Sequence, residues 1–316
     1  MTPLFAALSG QGQGARLSTL IFHRVLPEPD PLMPGEVDAA RFDAICGWLA
    51  RWFRVLPLDE ALARLREGRL PRRSLCITFD DGYADNHDLA MPILRRHGLQ
   101  ATFFVTTGVI GGGRMWNDTV IEAVRAAGVA AIDGRDLGLE QTGRIPLEGS
   151  AQRRDAIALL LPAIKHLEPG DRADSVERLR RLCAATLPSN LMMSVEQVRG
   201  LRDAGMQIGG HTVTHPILAR LDDATAQREI GEGKRTLEAW LGEEVPLFAY
   251  PNGRPGDDFE PKHARMAQAA GFKAAVTTAW GVARRGTDAY SIPRYTPWAR
   301  QRWKFSLQLA RNLASG

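Results

Sequence analysis

The run Ile77–Tyr83 reads ITFDDGY, and in it two carboxylates, Asp80 and Asp81, stand side by side at the end of an apolar stretch. Placing them there is costly, because like charges repel and a strand end near the interior strips them of water. A second pair of chemically capable side chains, His211 and His215, is spaced i and i+4 in HTVTH. Imidazole nitrogens suit zinc and its neighbours, and one carboxylate added to two histidines makes a three-ligand site with room for water. Each motif alone also has a plainer reading. An Asp–Asp pair can be a helix cap or a solvated turn, and HTVTH can be two unrelated loop histidines. Their joint occurrence, each at an expected strand end, favours a metal centre beside a spare carboxylate.

Such side chains need a scaffold that brings distant segments together. LSTLIFHRV (17–25), SLCITFDDG (74–82), ATFFVTTG (101–108), MQIGG, PLFAYPNG and KAAVTT read as strands. The second is a short, nearly continuous apolar run, as expected of a strand covered on both faces. Between them lie helical patterns over 38–53, "DEALARLREG", about 222–241 and about 260–270, with Asp38 as an N-cap and Ser194 with Gln197 as a capping box. Strand–helix alternation implies parallel strands joined by right-handed crossovers. The expected fold is a distorted α/β barrel of about seven parallel strands, with one domain over 1–316, a mainly helical insertion at about 115–190 and a C-terminal helix at about 298–314. In such barrels the site gathers at the C-terminal strand ends. Asp80–Asp81, His211–His215, Tyr250–Asn252 and His23 all fall there or close to it.

Composition bounds the function. The chain has 316 residues, 44% hydrophobic and 24% charged, with a formal net charge of +4. That is an ordinary globular composition, and no Lys/Arg run interleaved with aromatics marks a nucleic-acid stripe. Three cysteines, Cys46, Cys76 and Cys183, form no CxxC and are expected as buried thiols in a reducing compartment. No basic segment precedes the short apolar stretch at the N-terminus, and no apolar run reaches the roughly 20 residues of a spanning helix. A cytoplasmic location is expected.

The combination TFDDG plus HTxxH resembles the polysaccharide deacetylases of the carbohydrate esterase 4, or NodB-homology, family. The resemblance covers about 17–110 and 194–297. It implies that Asp81, His211 and His215 hold one divalent metal, zinc with cobalt or nickel as alternatives, and that Asp80 is the catalytic base. A metal-bound water would then attack the carbonyl of an N-acetyl group on an amino sugar, in an exopolysaccharide or cell-surface pathway. The same chemistry extends to deformylation or deacetylation of a lipid-linked sugar. A catalytically silent carbohydrate-binding relative is the alternative from another class, motivated by departures from the family pattern.

Those departures are specific. FAYPNG (248–253) resembles the family's third motif, but Ala249 stands where an arginine is usual and Asn252 replaces an aromatic. Arg294 in IPRY is the candidate for the missing positive charge, with a structural arginine as the alternative. No histidine follows His263, so the usual late general acid is absent. LIFHRV resembles the N-terminal strand of the poly-N-acetylglucosamine deacetylase branch, which implies that His23 takes the acid's role. A buried structural histidine is the alternative. Tyr250, Asn252, Trp116 and Arg294 are the expected substrate contacts, and Trp116 could instead simply begin a helix. His97, His166 and His263 are expected to be solvated, and Asp85 to cap the helix that follows it. The C-terminal segment mixes Trp298, Trp303 and Phe305 with Arg300, Arg302 and Lys304. It is read either as a helix packed on the barrel or as a peripheral contact with an anionic membrane.

Overall fold

A computed structural model describes residues 1–315, with Pro169 described by its backbone alone. Seven strands form a single parallel sheet: β1 Ser18–Phe22, β2 Arg54–Val55, β3 Ser74–Phe79, β4 Thr102–Val105, β5 Gln207–Gly210, β6 Leu247–Ala249 and β7 Ala274–Val276. Along the sheet the order is β1-β3-β4-β5-β6-β7, and β2 pairs with the start of β3. β1, β3, β4, β6 and β7 are buried at every residue, which accounts for their unbroken apolar runs. The sheet curls until Ile292–Tyr295 bridges its edges. Ile292 pairs with Val276 of β7, and Tyr295 pairs with Leu20 of β1, both in parallel. The result is the distorted α/β barrel expected from the alternation.

Register fixes the level of the chemistry. Phe22 pairs with Phe79, and Phe79 pairs with Phe103. These three rings form a row, with Phe79 stacked 4.9 Å from Phe103 and 5.4 Å from Phe22. Phe42, from the helix Ala39–Trp52, meets the row edge-on at 5.4 Å from Phe22. Side chains alternate across a strand, so the next residue on each strand faces the other way, into the barrel. The residue after Phe22 is His23, and the residue after Phe79 is Asp80. The backbone N–H of Asp80 donates to the carbonyl of Phe22 at 3.0 Å, which locks the two positions side by side.

The chain divides into two compact units. The first holds the barrel: Met1–Pro27, Val37–Gly111 and Met192–Gly316. The second consists of Glu28–Glu36 with Gly112–Leu191. It has its own core, in which Val120, Val124, Leu160 and Leu179 are buried, and it contains three helices and a two-stranded hairpin, Ala131–Asp133 with Arg144–Pro146. Asp30 holds its first segment to the rest through Arg125.

Local signals and structure agree in most helices. Asp38 caps Ala39–Trp52 through the N–H of Arg41, and Ser194 and Gln197 form the capping box. The C-terminal helix is shorter than expected, Arg302–Ala314 rather than 298–314. Its first residues are held otherwise: the Trp298 carbonyl accepts from Arg41, and the Ala299 N–H donates to the Gln308 side chain. Two further expectations fail. His263 is buried, because its Nδ1 accepts the Glu260 N–H at the start of Pro261–Ala269. Asp85 makes no helix cap and instead pairs with Arg24. Among the described residues no helix is long and apolar enough to cross a membrane. All three cysteines are buried and free, and burial pushes the Cys183 thiol up to about 11.

Candidate metal and catalytic site

Three strand ends, one turn and the segment that closes the sheet supply the central side chains. β3 delivers Asp80 and Asp81, and β5 delivers His211. The turn after β5 delivers His215, β1 delivers His23, and the closing segment 292–295 delivers Arg294. The chain bends sharply at several of these points. Among the described non-glycine residues with positive φ are Asp81 at 79°, Thr212 at 65°, His215 at 57° and Asn252 at 58°. Left-handed backbone is unfavourable for such residues and collects where surrounding contacts over-determine a functional geometry.

Asp81 Oδ1 lies 3.4 Å from His211 Nε2 and 3.4 Å from His215 Nε2. These separations are long for hydrogen bonds, and Oδ1 is buried with no hydrogen-bond partner. A buried carboxylate oxygen left in that state is expensive unless something else meets it. One ligand atom from each of Asp81, His211 and His215 lies within 4.8 Å of the others. His211 Nδ1–H donates to the Ala249 carbonyl at 2.7 Å, which leaves Nε2 as the atom with the free lone pair. The trio is consistent with a divalent metal site, and the orphaned oxygen and the His211 Nε2 that faces it both fit such an ion.

Charge separates the titrating groups. Burial opposes ionisation of Asp81, but His215 and His211 outweigh it and hold the carboxyl well below the usual range. Burial pushes His215 down to about 4, so its imidazole is neutral at pH 7. Burial also opposes protonation of His211, yet Asp81 and Asp80 together raise it above its ordinary value.

Asp80 is 3% exposed and is gripped by Arg294, which donates Nη1 to Oδ1 and Nη2 to Oδ2, each at 2.7 Å. Arg294 is 1% exposed and also donates to the Thr277 carbonyl at 2.9 Å and to Thr78 Oγ1 at 3.1 Å. Burial works against the Asp80 anion, but Arg294 and then His211 reverse the balance and lower its pKa. Arg294 is therefore committed to a carboxylate inside the barrel.

His23 is exposed at the end of β1, not buried. Its charge reaches both Asp80 and Asp81 and favours their ionised forms. The segment after it is pinned by residues that follow the aspartate pair. Asn86 Nδ2 donates to the His23 carbonyl at 2.9 Å. Asp85 accepts from the Val25 N–H at 3.0 Å and from Arg24 Nε at 2.9 Å. The Arg24 guanidinium lies 4.6 Å over the ring of Tyr83. The stretch Asp80–Asn86 thus carries the carboxylates and also fastens the loop that presents His23.

Sequence reasoning missed Glu229. From the helix Asp223–Leu241 its carboxylate accepts from the Val213 N–H at 2.9 Å, the Thr214 N–H at 2.8 Å and Thr214 Oγ1 at 2.7 Å. It therefore holds the turn between the two histidines. Glycines admit this close approach. A Cβ on Gly233 would meet the Thr212 backbone at 3.0 Å, and one on Gly108 would meet the Val213 carbonyl oxygen at 2.6 Å. An acidic residue within an ordinary helical pattern gave no signal that could have marked it.

Three other expected contacts are placed as follows. Tyr250 is fully buried, with its ring stacked 3.7 Å on Phe259 and its hydroxyl donating to the Tyr290 carbonyl at 3.1 Å. It packs in the core and offers no exposed surface to a sugar. Asn252 is half-buried in the turn after β6. Trp116 belongs to the second unit, where it begins the helix Trp116–Arg125 and lies 5.5 Å beneath the Arg172 guanidinium.

The polysaccharide deacetylase profile matches residues 67–132 and 182–275, half of the chain, and spans both aspartates and both histidines. The chain belongs to the polysaccharide deacetylase family. Bacillus subtilis YxkH is 21% identical over 282 residues, covering 89% of this chain and 71% of YxkH. The Staphylococcus aureus poly-beta-1,6-N-acetyl-D-glucosamine N-deacetylase is 34% identical over 76 residues, covering 24% of this chain and 26% of that protein. The Streptococcus pyogenes deacetylase PplD, solved in complex with acetate, aligns with a TM-score of 0.64 at 18% identity, covering 93% of this chain and 97% of that one. That last likeness is one of fold.

Proposed function

We propose that the protein is a metal-dependent amide hydrolase that removes an N-acetyl group from an amino sugar of a glycan or glycan precursor. One observation carries the reading. Two adjacent buried carboxylates are treated oppositely, Asp81 facing two imidazoles with an oxygen left over, and Asp80 held as an anion by Arg294. Binding alone needs no second carboxylate there, which weighs against a silent carbohydrate-binding protein.

Asp81, His211 and His215 would hold the cation, with zinc best suited to one carboxylate and two imidazoles, and cobalt or nickel also accommodated. When bound, it supplies Lewis acidity, making water easier to deprotonate and an amide carbonyl easier to attack. Asp80 accepts the proton that water loses as its oxygen bonds to the acetyl carbon. The Arg294 clamp orients that carboxylate and keeps it ionised. As the C–N bond breaks, protonated His23 gives its proton to the departing amine, so that acetate and a free amino sugar leave. Asn252, in the turn after β6, is positioned to meet the saccharide.

Similarity to the staphylococcal N-deacetylase supports an N-acetylglucosamine polymer as the first substrate to try, in an exopolysaccharide setting. The test is release of acetate from short N-acetylglucosamine oligomers, with and without a chelator, alongside metal analysis of the purified protein. Chelator-sensitive acetate release supports the reading. Metal-containing protein that releases no acetate from any N-acetylated oligosaccharide argues against this substrate class.

A further inference from the structure

We propose that the segment Trp298–Arg311, together with the outward side of the N-terminal helix Thr2–Leu8, docks the protein peripherally on an anionic phospholipid surface. This inference does not rest on the deacetylase reading.

Large apolar side chains are exposed in one region above all. Among the described residues seven are exposed, and six of them are Met1, Leu4, Trp280, Trp298, Trp303 and Leu307. Trp298 is 58% exposed and Trp303 62%. A monomeric soluble surface rarely gathers such side chains in one place without a partner. The helix Arg302–Ala314 buries Phe305, Leu309 and Leu313 against the barrel, so its outward side carries Trp303, Lys304, Leu307 and Arg311. The helix Thr2–Leu8 packs beside it. Trp280 and Trp298 are linked, with ring centroids 5.8 Å apart.

Charge chooses the partner. Residues 289–316 contain no Asp or Glu, and neither do residues 1–27. Arg302, Lys304 and Arg311 therefore lie among the tryptophans with no acid on either terminal segment. Arg302 lies 5.4 Å over Trp52, and Lys304 lies 5.4 Å over Trp303, which keeps these cations beside the rings. Arg41 joins them by donating to the Trp298 carbonyl at 2.9 Å. Asp38, which faces Arg41, is occupied in capping that residue's helix. Tryptophan rings with Lys and Arg suit the headgroup layer, where the rings enter the acyl boundary and the cations meet phosphate. A neutral glycan would need only the rings, and a glycan bearing free amines would be repelled by the cations.

Topology adds a consequence. Tyr295 pairs in parallel with Leu20, so the chain leaves the barrel at Trp298 toward the end that carries His23 and Asp80. The docking edge begins at the rim of the site.

The test is flotation of the full chain with phosphatidylcholine vesicles, with and without phosphatidylglycerol. The expected result is flotation only with phosphatidylglycerol, released by high salt, with a blue shift of tryptophan emission. The double variants Trp303→Ser/Leu307→Ser and Lys304→Gln/Arg311→Gln should each bind about tenfold more weakly or worse, with unchanged melting temperature and metal content. Failure to float, equal flotation with neutral vesicles, variants that bind like the parent, or an emission change with soluble N-acetylglucosamine oligomers but not vesicles would each overturn the proposal.

Discussion

Arg294 reaches across 214 residues of sequence to hold both oxygens of Asp80 at 2.7 Å, fully inside the barrel. The ion pair has a pH signature. Because the folded state lowers the Asp80 pKa, the pair contributes stability above the ordinary carboxylate range and loses it as pH falls through the lowered value. In Arg294→Met, burial of Asp80 goes unopposed by the guanidinium, so its pKa rises. The acid limb of kcat/KM is expected to move to higher pH, with a stability loss of about 3–5 kcal/mol from the orphaned buried charge. A pH–rate profile with denaturant melts measures both. An acid limb that stays in place would detach Asp80 from the rate.

Metal binding should release a proton. Asp80 and Asp81 raise His211 despite its burial, while burial lowers His215 to about 4. Below the ordinary histidine range the ion therefore displaces a proton from His211, whose protonated form is favoured, while His215 is already neutral. Calorimetric titration of zinc into stripped protein at pH 6, in buffers of different ionisation enthalpy, should give net proton release and an affinity that rises with pH. Release near zero would contradict the charge assignment.

Glu229 touches no reacting atom, yet it holds the turn that joins the two imidazoles. Glu229→Ala should weaken metal affinity about tenfold or more. Glu229→Gln keeps an acceptor for the Val213 and Thr214 N–H groups and should recover most of that loss. Competition with a chromophoric chelator gives both values. Equal effects of Ala and Gln would show that the charge matters rather than the positioning.

Gly108→Ala would drive a Cβ to 2.6 Å from the Val213 carbonyl oxygen. The expected cost is about 1–3 kcal/mol in thermal or denaturant unfolding, with reduced metal affinity because the same turn carries His215. An unchanged midpoint would mean that the turn yields freely.

Much of this site was readable from local signals. Apolar runs ending in Asp80–Asp81 and in His211 marked strand ends, and parallel alternation implied that those ends meet. Arg294 was legible as a candidate for the positive charge missing at Ala249, with a structural arginine as the alternative, and its contact with Asp80 requires 292–295 to close the sheet between β7 and β1. Tyr250 was misread because motif likeness placed it at the rim, whereas its ring turns into the core against Phe259. His263 was taken as solvated because helix-face spacing does not reveal a backbone N–H reaching a ring nitrogen. Glu28–Glu36 joins the second unit through tertiary pairing of Asp30 with Arg125, a contact with no sequence signature.

The central claim is that two neighbouring carboxylates do separate work, and paired substitutions address it most directly. Metal content and acetate release would be measured together for the parent, Asp80→Asn and His215→Ala. The account predicts that Asp80→Asn keeps one equivalent of metal while turnover falls about a thousandfold, and that His215→Ala loses both. Near-parental turnover in Asp80→Asn, or full metal occupancy in His215→Ala, would contradict it.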